Sequence, residues 1–458
     1  MGYYGAYMAA VRIEEVKPQV ERFAAHSHIK GLGAREGKVE FVADGFVGQV
    51  EAREAAYIVV KMIREGKFAG KGVLIVGPPG TGKTALALGI ARELGPETPF
   101  VALSGGEVYS LEVKKSEFLM RALRRAIGIK VREWRKVYEG EVRGLELKYG
   151  RHPYNPYLQR VLGATVKLRT RDEEKTLRVP AEIAQQFIEL GVEEGDVIMI
   201  DEETGAVTVL GRGEGGEQYD VAVKKRAELP RGPVYKEKEI VRFFTLHDVD
   251  VSLARQRGLI SAMIFGFAEE IKEIPDEIRR QTDEIVKKTV EEGKAELVPG
   301  VLFIDDAHLL DIETFSFLMR AMETEFAPII IMATNRGIAK IRGTDIESPH
   351  GIPQDLLDRL VIIRTRPYTA EEIKEIIQIK AREQNISLSD DALKLLTDIG
   401  VDHSLRYALQ LLVPAYITAK ERGKSAVTKE EVEYVGKHFV SVKESVEYVK
   451  TLEEKFLK

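Results

Sequence analysis

Five short apolar runs punctuate this chain: Val73 to Val76, Phe100 to Leu103, Val301 to Ile304, Ile329 to Ala333 and Leu360 to Ile363. Each is continuous rather than alternating, which predicts strands buried on both faces. Segments of helical period separate them; after the first run, Leu86, Ile90 and Leu94 recur at helical spacing until Gly95 and Pro96 stop the helix. Strands alternating with helices predict an α/β fold whose parallel sheet is covered on both sides. The second and third runs lie nearly two hundred residues apart. Something is inserted between them.

The inserted stretch, 128–296, has a different texture. Ala164 to Arg171, Lys175 to Val179, Asp196 to Ile200 and Ala206 to Gly211 are short β-rich runs, and Asp201 to Gly205 reads as a hairpin loop. A small β-barrel is their natural closure. Gly211 to Gly216 reads as a flexible loop, and 271–294 as a charged helix returning to the core. Beyond Pro367 the pattern is helical: Thr369 with Glu372 and Thr428 with Glu431 form capping-box spacings, and helices are expected to begin near Ser389 and Ser404. The expected domains are a core over 1–127, the insert over 128–296, a second part of the core over 297–366 and a helical lid over 367–458.

Composition narrows the picture. At 458 residues the chain can bury a large core, and without cysteine it has no disulfide, thiolate metal site or cysteine nucleophile, as suits a reducing interior. The 31% of charged residues exceeds the usual share of about 25%, a composition that points to a heat-adapted source. A net charge of −5 gives no global footprint for nucleic acid. No apolar run approaches a membrane span, so a soluble cytoplasmic protein with no membrane partner is expected.

The first apolar run leads directly into chemistry. Gly77, Pro78, Pro79, Gly80, Thr81, Gly82, Lys83 and Thr84 form a complete phosphate-binding loop between a strand and a helix. Its glycines let backbone N–H groups approach phosphate oxygens, which the helix N-terminus also attracts. Lys83 is expected on the β- and γ-phosphates and Thr84 on Mg²⁺. The third run ends in Asp305 and Asp306. Asp305 is placed to hold the metal shell, and Asp306 to orient or deprotonate the attacking water. An alternative, in which the two carboxylates merely cap the helix starting near Asp311, explains neither the strand nor its pairing with the loop. Asn335, after the fourth run, could position water or the γ-phosphate, although alone it would more often be a turn former. Arg359, before the fifth run, would elsewhere be an ordinary surface ion-pair residue; delivered to a γ-phosphate, an arginine accelerates hydrolysis by about 10³–10⁵. Arg406, near the first turn of a lid helix, could reach the phosphates from the lid.

These residues resemble one family, the RuvB-like AAA+ ATPases, known as pontin and reptin in eukaryotes. The resemblance runs through His26 to Gly33, Gly45 to Gln49, the phosphate loop, Val137 to Val142, Gly195 to Ile198 and Thr245 to Val251. It continues through Glu296 to Asp305, Arg342 to Pro353 and Leu405 to Leu412, nearly the whole chain. It implies an α/β AAA+ P-loop core, an inserted OB-fold-like β-barrel, a C-terminal helical lid and homo-hexameric rings, single or double. ATP is then substrate, ADP product and Mg²⁺ cofactor. In that family the position of Arg359 acts on the neighbouring subunit's nucleotide, Asn335 matches sensor 1 and Arg406 sensor 2. His26 and His28 match a segment that folds over the nucleotide; by themselves two such histidines would be surface residues. The resemblance also suggests a prokaryotic or archaeal member. One position departs: the family usually has Glu where this chain has Asp306. The missing methylene withdraws the carboxylate by about 1.5 Å, and a misplacement of about 1 Å can cost 10²-fold in rate.

The barrel suggests single-strand nucleic-acid binding through 128–296, but its expected strands are poor in aromatics. Lys167, Arg169, Arg171, Lys175 and Arg178 could form a basic face; equally, they could alternate with acids on a solvated sheet. Tyr109, Lys114 and Lys115 could approach a ring pore or lie on a plain helix surface. Three functions follow: an ATP-driven ring that remodels or assembles macromolecular complexes, a DNA helicase or branch-migration motor, or a nucleotide-gated scaffold with slow turnover.

Overall fold

The computed structural model describes residues 28–35, 38–109, 113–151, 159–212, 227–265 and 273–456. It divides into two compact units. The larger unit carries helix α1 (Val50–Arg64), strand β1 (Gly72–Val76), α2 (Lys83–Leu94), β2 (Phe100–Ser104), α3 (Lys115–Arg125), α4 (Leu246–Phe265) and α5 (Asp276–Glu291). There follow β3 (Val301–Asp305), α6 (Ile312–Met322), β4 (Ile329–Thr334) and β5 (Leu360–Arg364). The strands form one parallel sheet in the order β5-β1-β4-β3-β2. Alternate side chains enter separate cores: Val73, Ile75, Val301, Phe303 and Ile331 pack with α1 and α2, while Leu74, Leu302, Ile304 and Met332 pack with α3 and α6. That division requires continuous apolar runs in β1, β3 and β4, because both faces of these inner strands leave water. β1 lies between β5 and β4, and ligands bind at the C-terminal ends of the strands in such folds.

Arg53 of α1 secures the segment that precedes the sheet. Fully buried, it donates to the carbonyls of Leu32 (2.8 Å), Glu40 (2.8 Å) and Gly48 (3.0 Å), and lies over the Phe46 ring. Burial draws its pKa down to about 10, chiefly against the pull of Asp44. Each carbonyl would cost about 1–3 kcal/mol if buried without a donor, so one guanidinium fixes the whole loop.

Lid helices α7 (Ala370–Glu383), α8 (Asp390–Asp402), α9 (Leu405–Glu421), α10 (Lys429–His438) and α11 (Val442–Phe456) complete this unit. The expected caps are present: Thr369 with Glu372 and Thr428 with Glu431 close capping boxes, while Ser389 and Ser404 accept from Ala392 and Tyr407. Ile377, Leu396, Leu411, Leu412 and Val432 form its core. Among the described residues no helix is long and apolar enough to cross a membrane.

The smaller unit comprises Lys130–Phe243 and Thr289–Glu296 with the segment Met1–Ile13, which lies outside the described residues. The sheet is antiparallel wherever its pairing is described, and its strands Val207–Arg212, Asp196–Asp201, Ile127–Arg151, Gln159–Arg169 and Glu174–Pro180 lie in that order. A helix, Ala181–Glu189, packs on both end strands. Among the described residues no ladder joins those end strands, an arrangement that agrees with the expected OB-fold-like barrel, which is itself partly open. The Asp201 turn is as expected, its carboxylate accepting from the N–H groups of Glu203 and Thr204. The glycine-rich loop expected after Gly211 lies mostly outside the described residues.

This unit is narrower than the expected insert of 128–296. Phe244–Lys288 falls in the larger unit, where ion pairs join residues ahead of the insertion to residues beyond it. Arg124 of α3 holds the fully buried Asp250 of α4 (2.8 Å) and Asp283 of α5 (2.8 Å), and Arg279 of α5 holds Glu117 of α3. The segment Thr245 to Val251 thus has a local purpose: the Asp248 carboxylate accepts from Thr245 N–H (2.8 Å) and its hydroxyl (2.7 Å), starting α4, and Asp250 anchors it.

Candidate active site

The phosphate loop leaves β1 at Val76 and turns through Gly80 (φ 77°) and Gly82 (φ 81°), a left-handed backbone that glycine adopts without penalty. Gly77 is packed so closely that a Cβ would stand 2.2 Å from the Thr365 hydroxyl. Pro78, Pro79 and Gly80 are exposed, Thr81 is buried, and Thr84 is half-buried on the first turn of α2. The Lys83 ammonium donates to the carbonyls of Gly77 (3.0 Å) and Pro78 (2.8 Å) and so lies across the loop.

Asp305 ends β3, which stands beside β4, the strand adjoining β1. Its Oδ1 accepts from Asp306 N–H (3.0 Å). Burial pushes the Asp305 carboxyl up, the N–H of Asp306 that it accepts draws it down, the Asp306 carboxylate pushes it up again, and Lys83 and Arg406 pull it down. The Lys83 ammonium is drawn down, first by burial, with Asp305 and Asp306 opposing and Arg406 adding. These mutual effects bring the loop lysine, both acids and the lid arginine into one electrostatic group. Asp306 has left-handed backbone (φ 49°, ψ 46°), which Asp tolerates better than most residues. Neither acid caps α6: Asp311 does so itself, accepting from Thr314 N–H (2.9 Å).

Asn335 is exposed and follows Thr334, whose register partner is Val76, so it stands beside the start of the phosphate loop. Arg359 is elsewhere. Its carbonyl accepts from Gly72 N–H (3.1 Å), at the opposite end of β1 from the loop. Five residues of strand span roughly 17 Å, more than one arginine side chain reaches, and its guanidinium pairs with Glu323. His28 faces Glu383 of α7 (3.5 Å), and burial draws its pKa down against that carboxylate. His26 lies outside the described residues. Tyr109 and Lys115 are anchored rather than projecting: the Tyr109 hydroxyl accepts from Asp311 N–H (2.6 Å) under the Arg342 guanidinium, and Lys115 pairs with Asp311 (2.7 Å). Lys114 pairs with Glu273 (2.8 Å).

Three contributors escape sequence reasoning. Thr365, just past β5, bonds Thr81 across the loop (2.7 Å). His308 is two residues beyond Asp306, and its Nδ1 meets the Thr334 hydroxyl (3.3 Å). Gln49, with left-handed backbone, accepts from Arg366 N–H (3.2 Å) at the joint to the lid. Only Gln49 carried a signal, as the end of the segment from Gly45.

The family model described as the TIP49 P-loop domain matches residues 22–371, and that described as the TIP49 AAA-lid domain matches residues 376–440. The chain belongs to the TIP49 family. It is similar to RuvB-like helicase 1 of Aedes aegypti, 44% identical over 455 residues that cover 98% of this chain and 100% of the relative. RuvB-like protein 1 of Arabidopsis thaliana is 44% identical over 457 residues, covering 98% and 100%. RuvB-like helicase 1 of Schizosaccharomyces pombe is 45% identical over 449 residues, covering 96% and 98%. These relatives are eukaryotic and lend no support to the expected prokaryotic or archaeal source. As a TIP49 family member the chain is an AAA+ ATPase, and the group around Lys83 is where its nucleotide chemistry is to be sought.

Proposed function

We propose that this chain hydrolyses ATP at Lys83, Asp305, Asp306, Asn335 and Arg406, and that it works in the cytoplasm as a homo-hexameric ring that remodels or assembles macromolecular complexes. The observation that carries this reading is the geometry of the sheet: the phosphate loop, with Lys83 across it, leaves β1 beside the end of β4 where Asn335 follows, and β4 adjoins β3, which ends in Asp305. Lys83 and the loop N–H groups bind the triphosphate, Asn335 and Arg406 steady its terminal phosphate, and Asp306 orients the water. His28, with His26, closes the nucleotide from the N-terminal side. Arg359 serves a neighbouring subunit, since it faces away from its own loop.

The residues fit Mg²⁺. Asp305 carries negative charge that burial makes costly and that Lys83 and Arg406 offset incompletely. Among the described residues no group of three or more potential ligands gathers, which suits an ion held by Asp305, Thr84, phosphate oxygens and water. When bound it would offset charge on the β- and γ-phosphates.

Assembly is favoured over a nucleic-acid motor by the face of the insert. Arg169 stands between Glu141 and Glu174, Lys167 between Gly144 and Thr176, and Arg178 is paired across Thr165 with Glu146. Cations and carboxylates alternate, so this face has no broad basic track. A steady-state ATPase assay with and without single-stranded DNA, paired with a mass measurement of the assembly, tests the reading. Strong stimulation with strand separation would favour the motor, and the absence of turnover would favour the scaffold.

The scaffold reading draws on Asp306. If its short side chain limits water positioning, Asp306→Glu should raise the single-turnover rate about tenfold or more with little change in ATP affinity. The left-handed backbone should make that variant less stable by about 1 kcal/mol. Asp306→Asn should bind ATP and lose most turnover. Equal single-turnover rates in all three would remove Asp306 from the chemistry.

A further inference from the structure

The phosphate loop is braced from behind by a residue outside every nucleotide-binding motif. Thr365 follows β5 and is buried, as is Thr81 in the loop, and their hydroxyl oxygens stand 2.7 Å apart. Each hydroxyl has one hydrogen to give. Thr81 has an acceptor in the Pro78 carbonyl at 2.9 Å. Thr365 has the choice of Thr81 at 2.7 Å or the Val76 carbonyl at 3.3 Å, and the Val76 carbonyl already receives the Thr365 N–H at 2.8 Å. The consistent assignment is a directed relay, Thr365 O–H to Thr81 Oγ1 and Thr81 O–H to Pro78 O, in which each bond strengthens the next.

The far end of this relay matters because Pro78 O is also an acceptor for the Lys83 ammonium. When Lys83 turns to a phosphate, Thr81 still satisfies that carbonyl, and the loop can keep its shape. The near end matters because Thr365 adjoins the joint to the lid. The next residue, Arg366, is held through its backbone N–H by Gln49 and through its guanidinium by Glu372 of α7 (2.7 Å). Gly77 is pressed against Thr365, leaving no space for a side chain between them.

We infer that Thr365 is a positioning residue for nucleotide binding, coupling the phosphate loop to the root of the lid through Thr81. The inference rests on the ATPase site, whose own failure would appear as an absence of ATP binding in the unaltered protein. Thr365→Val keeps the shape and removes the donor. In full-length rings, KM for ATP should rise about five- to tenfold, as expected for one lost buried hydrogen bond, while kcat falls by less than KM rises. Dissociation of N-methylanthraniloyl-ADP should accelerate by a similar factor. Thr365→Ser, which retains the hydroxyl, should restore both. Thr81→Val should resemble Thr365→Val, and the double variant should be no worse than the poorer single one, because both remove the same relay. Thr81→Val also reports on the relay should Thr365→Val fail to fold. Unchanged KM and release in the folded valine variants, fully additive losses, or a Thr365→Ser variant as impaired as Thr365→Val would overturn the inference. A lowered melting temperature with unchanged nucleotide affinity would do the same, leaving Thr365 a purely structural role.

Discussion

Lys83→Ala should lose ATP by about 10²–10⁴ in affinity while its fold stays intact. The lysine supplies charge-assisted hydrogen bonds to phosphate oxygens, each worth about 1.5–3 kcal/mol, and two such bonds give that loss at 1.4 kcal/mol per decade. Within the protein its removal frees the Gly77 and Pro78 carbonyls, but these lie at an accessible loop and Pro78 keeps the Thr81 hydroxyl. The cost therefore falls on the ligand. Titration calorimetry with ATP, and circular dichroism as a control for folding, read the two effects separately. Unchanged affinity would remove the loop from the site.

Arg359→Ala should behave in the opposite way, binding ATP normally but turning over about 10³-fold or more slowly, as when an arginine finger is lost. The pair with Glu323 that it forfeits is at the surface and worth at most about 1 kcal/mol. Because Arg359 stands at the far end of β1 from its own loop, its effect has to cross to another copy. Rings mixed from Arg359→Ala and Lys83→Ala subunits should then regain activity wherever an intact loop meets an intact arginine, about a quarter of head-to-tail interfaces in a random equimolar mixture. Mixed rings demonstrated by native mass spectrometry, yet inactive, would argue against a shared site.

The three inner core strands were legible because both faces of each are buried, which writes an uninterrupted apolar word into the sequence; the edge strands β2 and β5 keep apolar runs although they are only partly buried. The loop was legible because phosphate binding demands glycine where the backbone is left-handed, and Gly80 and Gly82 adopt that conformation. Helix starts in the lid could be read from capping residues alone. The insert was harder: strand Tyr235–Thr245 mixes lysine and glutamate with half-buried positions, and its charge hides its period. That Phe244–Lys288, inside the expected insert, falls with the larger unit leaves no mark on the texture of the chain, because packing is decided in space; Arg124 reaches 126 residues ahead to Asp250. Likewise, no local pattern marks Thr365, whose partner Thr81 lies 284 residues away. A role for Arg359 on a neighbouring subunit's nucleotide comes only from resemblance; the structure adds that its carbonyl accepts from Gly72 N–H, at the end of β1 away from the loop.

The interruption of the core also bears on how the chain acquires its structure. Phe100 of β2 pairs in register with Val301 of β3, so two adjacent strands of one sheet are separated by the whole insert. Contacts this distant in sequence slow the folding search, since a long loop must close before they contribute. As the polypeptide emerges, the first part of the core has no partner for β2 until the insert has been synthesised. An insert that folds early shortens the effective loop and draws the two halves together, so its sheet should gain protection in pulsed hydrogen exchange before the β2–β3 pair does. Protection of both at the same rate would mean that the sheet closes without that help. By the same reasoning, variants that loosen the insert should yield less native core even where no core residue is altered.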